Sequence, residues 1–115
     1  MMKHQLIRTD GTSAPLELTM ADSLPSRLKG LLGRAGLNPA EGIWISPCNS
    51  VHCFFMRFAI DVLYLDDNER IIAIRPNLAP WRMSLCWKAK SVIELAAGEC
   101  QRLRISPGDQ ITCAS

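Results

Sequence analysis

The residues able to do chemistry crowd into one stretch, "CNSVHCFFMRFAID", at positions 48–61. It holds Cys48, His52, Cys53, Arg57 and Asp61. The first chemistry to weigh is a thiol activated by an imidazole. Cys48 follows Pro47 and precedes His52 by four residues, which makes it the best-placed thiol for such a pair. The pair needs hydrogen-bond reach and surroundings that lower the thiol pKa. No Gly-x-Cys elbow accompanies it. The second chemistry is zinc binding, which takes four nitrogen or sulfur ligands in a tetrahedron. Cys86 is free to join Cys48, His52 and Cys53, but there is no C-x2-C knuckle. Adjacent residues on a strand also point to opposite faces. The expectation is no metal site and no cofactor, with the cysteines acting as small buried hydrophobes. His52 then reads as a strand-start histidine bonded to a backbone carbonyl or a carboxylate.

Charged residues mark the ends of the apolar runs. Arg57 and Asp61 bracket "FAI", and Glu94 sits inside "SVIEL". A carboxylate among apolar strand residues needs a cationic partner if it is buried. Arg57, Arg82 and Lys90 are the candidates, arginine's fork suiting the pairing best. Pro76 and Pro80 bracket a loop that runs into Trp81 and Arg82, where indole and guanidinium can overhang a pocket mouth. The spacing leads to one expected ligand cleft, lined by His52, Arg57, Asp61, Trp81, Arg82 and Glu94. A weaker anion site is expected at Arg27 and Arg34, which share a helical face with Gly30.

These side chains need a scaffold, and the scaffold reads as short strands. Leu16, Leu18 and Met20 alternate, the period of a half-buried strand. "GIWI" (42–45), residues 51–57, "IDVLYL" (60–65), "RIIAIR" (70–75), "SVIEL" (91–95) and "QITC" (110–113) are further strands. "DDNE" (66–69) turns a hairpin, and "SPGD" (106–109) suits a type II turn. One helix is predicted near residues 23–34. Leu24, Leu28, Leu31 and Leu32 form its stripe, Asp22 and Ser23 its cap, and Gly33 and Gly36 its end. The expected fold is mainly β, α+β at the margin: a compact β sandwich or partly open barrel in a single domain over residues 1–115.

The 115 residues carry a net charge of only +2, with basic residues spread along the chain. That excludes the electrostatic footprint of a dedicated nucleic-acid binder. No apolar run approaches the roughly 20 residues of a membrane helix, so no membrane partner is expected. The five cysteines are odd in number, and "MMKHQLIRTDG" lacks the apolar core of a secretory signal. A reducing, cytoplasmic setting follows.

With these pieces assembled, the chain resembles the "domain of unknown function 192" family. The resemblance runs from about Leu16 to Ile111 and is carried by "RLKGLLGR", "GIWI", "VHCFFMRFAIDVLYLD", "PWR", "AKSVIELAAG" and "PGD". It implies a compact, mainly β domain and no agreed activity. The chain departs from it at Cys53, where relatives often have Thr after the histidine. It departs again at Ala59, where many have Pro. Cys53 is therefore not a family nucleophile. The functional expectation is a small binding or accessory domain for a polar small molecule or a peptide. The alternatives are an enzyme using His52 with Cys48 or a carboxylate as acid or base, and an interaction module that adds a partner's strand at a sheet edge.

Overall fold

The structure is a computed structural model, described here for residues 2–21, 37–52 and 58–114, with His52 described in its backbone only. Among these residues run nine strands: β1 (Met2–Ile7), β2 (Ser13–Ala21), β3 (Glu41–Ile45), β4 (Ser50–His52), β5 (Ile60–Leu65), β6 (Ile71–Leu78), β7 (Met83–Leu85), β8 (Ser91–Ala96) and β9 (Gln110–Cys113). One short helix, α1 (Glu99–Arg102), follows β8. The mainly β expectation holds. The helix predicted near 23–34, with Arg27, Gly30 and Arg34, lies outside the described residues.

Seven strands form one sheet in the order β6-β5-β8-β3-β2-β1-β9, antiparallel except for the parallel pair β2 and β3. The sheet curls until its two edges meet. Arg70 bridges Gln110, the Ile71 N–H donates to the Asp109 carbonyl (2.8 Å), and the Ile111 N–H donates to the Glu69 carbonyl (3.1 Å). This seam is short and no continuous ladder joins the edges, so the sheet is not closed into a barrel. The sandwich-or-barrel expectation resolves to a partly open, curled sheet.

The concave face buries Leu6, Leu16, Leu18, Trp44, Leu63, Leu65, Ile93, Leu95 and Ile111. In β2 the pattern is visible directly: Ala14, Leu16 and Leu18 are buried while Pro15, Glu17 and Thr19 are exposed. The convex face around β3, β5 and β8 is apolar too, through Ile43, Ile45, Val62, Tyr64 and Val92. That second apolar face explains why β5 is buried at all six positions. A two-stranded sheet of β4 and β7 covers part of it. Val51 of β4 is fully buried there, and the Tyr64 hydroxyl donates to the Ser84 hydroxyl of β7 at 2.6 Å.

Three boundaries differ from the sequence expectation for physical reasons. β1 was not expected, because its concave-facing residues are His4 and Leu6, and the histidine hides the apolar alternation. β6 continues through Pro76 to Leu78, since β6 is an edge strand and an edge tolerates a residue without an N–H. β7 has an inward serine between outward Met83 and Leu85, the reverse of a half-buried strand.

Candidate functional site

The curled sheet has two ends, and they are built differently. At one end Cys100 of α1 and Leu103, which caps its C-terminus, pack into the concave core. Asp61, at the start of β5, lies beneath α1 at 1% exposure. Its Oδ1 accepts the Asn77 N–H (2.8 Å), and its Oδ2 accepts the N–H groups of Gly98 (3.1 Å) and Cys100 (2.9 Å). Gly98 is the N-cap of α1, held in the left-handed region at φ 94°, and it has no side chain of its own to cap the helix. Asp61 does that work from across the fold. Burial pushes the Cys100 thiol well above its ordinary pKa, and the charge of Asp61 with its hydrogen bond adds to the rise. Glu99 completes this end. It accepts the Ala40 N–H (2.6 Å) and a forked pair from Arg102 (2.6 and 2.8 Å). The Arg102 bond holds its carboxyl below the usual range, against its burial.

Two of the residues expected to line one cleft, Asp61 and Glu94, lie on opposite faces of the sheet. Asp61 pairs with Leu95 in the β5–β8 register, and Glu94 pairs with Val62. Directly opposed residues share a face, so Asp61 lies on the concave side and Glu94 on the convex side. Glu94 is fully buried and is not without a partner. Trp81 and Arg82 are exposed in the turn before β7, where the Arg82 N–H donates to the Ala79 carbonyl. The backbone of His52 pairs with Met83. The side chain of His52, with Cys53 and Arg57, falls outside the described residues. A single cleft holding both Asp61 and Glu94 is therefore corrected: the sheet itself separates them. Cys48 donates its thiol proton to the Ser50 carbonyl (3.0 Å). Among the described residues, no group of three His, Cys, Asp or Glu is placed to hold a metal.

The opposite end is open. There a pocket of about 450 Å³ enters the concave face. Its floor is His4 of β1, Trp44 of β3 and Ser91 of β8. His4 is only 3% exposed. Its Nδ1 is 3.1 Å from the Met2 carbonyl oxygen. A carbonyl can only accept, so that bond places a proton on Nδ1. Nε2 of the neutral ring then carries a lone pair, with no hydrogen-bond partner among the described residues. The His4 ring stands edge-on to Trp44, at a centroid distance of 5.5 Å and an interplanar angle of 69°. The Trp44 indole N–H donates to the Ser91 hydroxyl at 2.9 Å, leaving that hydroxyl's own proton to give. Exposed Met2 and Met20 form an apolar lip, and Lys90 stands beside Ser91 at the rim. The β5–β6 turn adds Asp66, Asp67 and Glu69 to the rim. Asp66 also builds that turn, accepting the N–H groups of Asn68 (2.9 Å) and Arg70 (3.0 Å). The arrangement can receive a small molecule with an apolar body against Trp44 and the methionines. Its donor would meet His4 Nε2 and its acceptor the Ser91 hydroxyl.

Sequence reasoning missed this site. Its central residue lies in the strand that was not expected, and its other floor residues, Trp44 and Ser91, read as ordinary strand positions. The usable signal was a histidine at an inward position, in register with Leu6.

The chain is similar to uncharacterised proteins over nearly its whole length. It is 31% identical over 109 residues to UPF0127 protein PF1050 of Pyrococcus furiosus, covering 90% of this chain and 91% of that one. It is 32% identical over 102 residues to UPF0127 protein PYRAB11210 of Pyrococcus abyssi, covering 83% and 84%. Among solved structures, a candidate transcription regulator from Sinorhizobium meliloti 1021 superposes with a TM-score of 0.88 at 24% identity, covering 97% of this chain and 92% of that one. A protein of unknown function from Novosphingobium aromaticivorans DSM 12444 gives a TM-score of 0.82 at 22% identity, covering 95% and 82%. At those identities the likeness shows the fold alone. The family profile described as "Uncharacterized ACR" matches residues 5–113. The chain belongs to that family, DUF192.

Proposed function

We propose that this protein is a small-molecule binding domain whose site is the open end of the curled sheet. The observation that carries the reading is His4. One nitrogen of this buried imidazole is tied to the backbone, and the other faces the pocket, where it can accept a hydrogen bond from a ligand. Trp44 and Ser91 beside it offer the same ligand an apolar wall and a hydroxyl. The mouth of a β-barrel is a recurrent place for such sites, and mostly apolar walls with a few placed polar groups are their usual lining. The four described cysteines are thiols, which supports a reducing, cytoplasmic setting.

The test is a thermal-shift screen of small molecules, followed by amide chemical-shift mapping of the hits. Hits are expected to perturb the amides around His4, Trp44 and Ser91. Their stabilising shift should fall at least about tenfold in apparent affinity in His4→Leu and in Ser91→Ala, as expected when a buried hydrogen bond to a ligand is lost. Hits that map elsewhere, or that bind both variants as well as the wild type, would overturn the reading.

A further inference from the structure

The mouth of the open pocket carries more charge than the β5–β6 turn needs. Asp66, Asp67, Glu69 and Lys90 line it, three negative charges against one positive. The chain as a whole is at +2, so the mouth is opposite in sign to the molecule around it. Asp66 builds the turn through Oδ1 alone, which accepts both backbone N–H groups and leaves Oδ2 spare. Glu69 serves the turn through its backbone, its N–H donating to the Asp66 carbonyl at 3.1 Å. The side chains of Asp67 and Glu69 are exposed, with no hydrogen bond or ion pair among the described residues. Nor do the carboxylates converge as the ligands of a metal do: among the described residues, no three such groups are placed to hold one ion. Negative charge spread around a mouth suits an organic cation, which needs no tight coordination shell.

The floor supplies an independent observation. His4 is 3% exposed, and its Nε2 faces the cavity as an acceptor with no partner among the described residues. Between floor and mouth lie Trp44, Met2 and Met20. The lining is therefore graded from a buried acceptor, through an apolar wall, to exposed carboxylates. That order describes a molecule with a hydrogen-bond donor at one end, an apolar body and a positive charge at the other.

Resting on the reading of this pocket as a small-molecule site, we propose that its ligand is a small organic amine. Its ammonium stays at the mouth among Asp66, Asp67 and Glu69. Its ring or chain lies along Trp44 and the methionines, and a hydroxyl at its far end donates to His4 Nε2. Lys90 offsets one of the three negative charges and leaves two. An anion of the same shape is repelled by that excess, and a neutral molecule gains nothing from it.

Tyramine is a suitable probe, with 4-ethylphenol as its neutral counterpart and 3-(4-hydroxyphenyl)propionate as its anionic one. Amide chemical-shift titration of the full chain reads affinity and location together. Tyramine should perturb the amides around His4, Trp44 and Ser91. It should bind at least about fivefold more tightly than either counterpart, the gain expected from a few partly solvated charge contacts, and the preference should shrink as salt rises. Asp67→Asn with Glu69→Gln should remove most of that preference and leave 4-ethylphenol unchanged. Lys90→Met should act in the opposite direction and tighten tyramine, which a general loss of structure would not do. His4→Leu should weaken both phenols alike. If 4-ethylphenol or the propionate binds this pocket as tightly as tyramine, the amine assignment is overturned and the pocket reading stands. Tyramine binding that is indifferent to the rim substitutions overturns it too. If none of the three probes perturbs these amides, the amine assignment falls, and the broader thermal-shift screen decides the pocket reading separately.

Discussion

The two ends of the curled sheet both bury polar side chains, and they use them in opposite ways. At the α1 end, Asp61 meets three backbone N–H groups and Glu99 meets a backbone N–H and a guanidinium. Those carboxylates have little bonding capacity left, so they act as fasteners. At the open end, His4 and Ser91 are each tied by one bond, and each has a second capacity facing a cavity. Residue type alone does not separate the two cases. A buried carboxylate looked like the better site residue in the sequence, and a histidine in a polar N-terminal stretch looked like nothing. Both ends border a cavity, about 400 Å³ beside Asp61 and about 450 Å³ above His4, so what separates them is the number of bonds each group already makes.

The contrast predicts a graded set of mutational effects. Asp61→Ala should be the most damaging. It leaves the buried Cys100 N–H and the part-buried N–H groups of Asn77 and Gly98 without their acceptor, at a cost of roughly 2–4 kcal/mol, measured by urea unfolding. A cost near that of a surface substitution would mean the α1 end is not fastened by Asp61. Gly42→Ala should come next, at about 1–3 kcal/mol. A Cβ at Gly42 would stand 2.6 Å from the Leu95 side chain and 2.7 Å from the Glu94 carbonyl, where β3 and β8 come together near the α1 end.

The pH dependence should also report the α1 end. The Cys100 pKa is raised in the folded state, so its contribution is complete below the ordinary thiol value of 9.0 and is lost as pH rises above it. Tyr64, raised first by its burial, adds a loss of the same sign above 10.0. Cys100→Ala should flatten the decline that begins near pH 9, and a decline unchanged in that variant would assign it elsewhere. Glu99 has the opposite sign. Its folded pKa is depressed, so its contribution is present above 4.5 and is lost as pH falls below that value. Arg102→Met should shallow the acid limb.

The smallest stability change is expected at the open end. His4→Leu completes the apolar alternation of β1 and removes an unpartnered ring nitrogen. Unfolding free energy should move by about 1 kcal/mol or less, in either direction, while ligand binding is lost. A large destabilisation would make His4 a fastener like Asp61 and erase the contrast between the ends.

Much of the scaffold was legible in the sequence because alternation and turn chemistry are local. β5 falls where "IDVLYL" placed it, and Gly108, at φ 97°, occupies the turn position that demands a glycine. Asx bonding from Asp66 explains why "DDNE" is a turn. The site was not legible because it depends on register. With Asp61 opposite Leu95, Asp61 and Glu94 lie on different faces; a slip of one residue would have put them on the same one. No periodicity within a single strand carries that information. His4 was hidden for a related reason. Its inward direction becomes clear only when β1 is laid between β2 and β9.

The position of β9 has a consequence for how the chain reaches this shape. Leu6 pairs with Ile111, and β9 also supplies one side of the seam at Gln110. During synthesis β1 and β2 can form their hairpin early, but the sheet cannot curl until β9 leaves the ribosome. Until then β1 presents an unpaired edge, the kind of surface on which neighbouring nascent chains associate. Closure therefore waits on contacts between residues far apart in sequence, which makes assembly slow for a domain of this size. The same geometry orders the reverse process. The seam, with few bonds and no ladder, is the place where the folded sheet should first come apart, and amide exchange at Ile71 and Ile111 would time that opening.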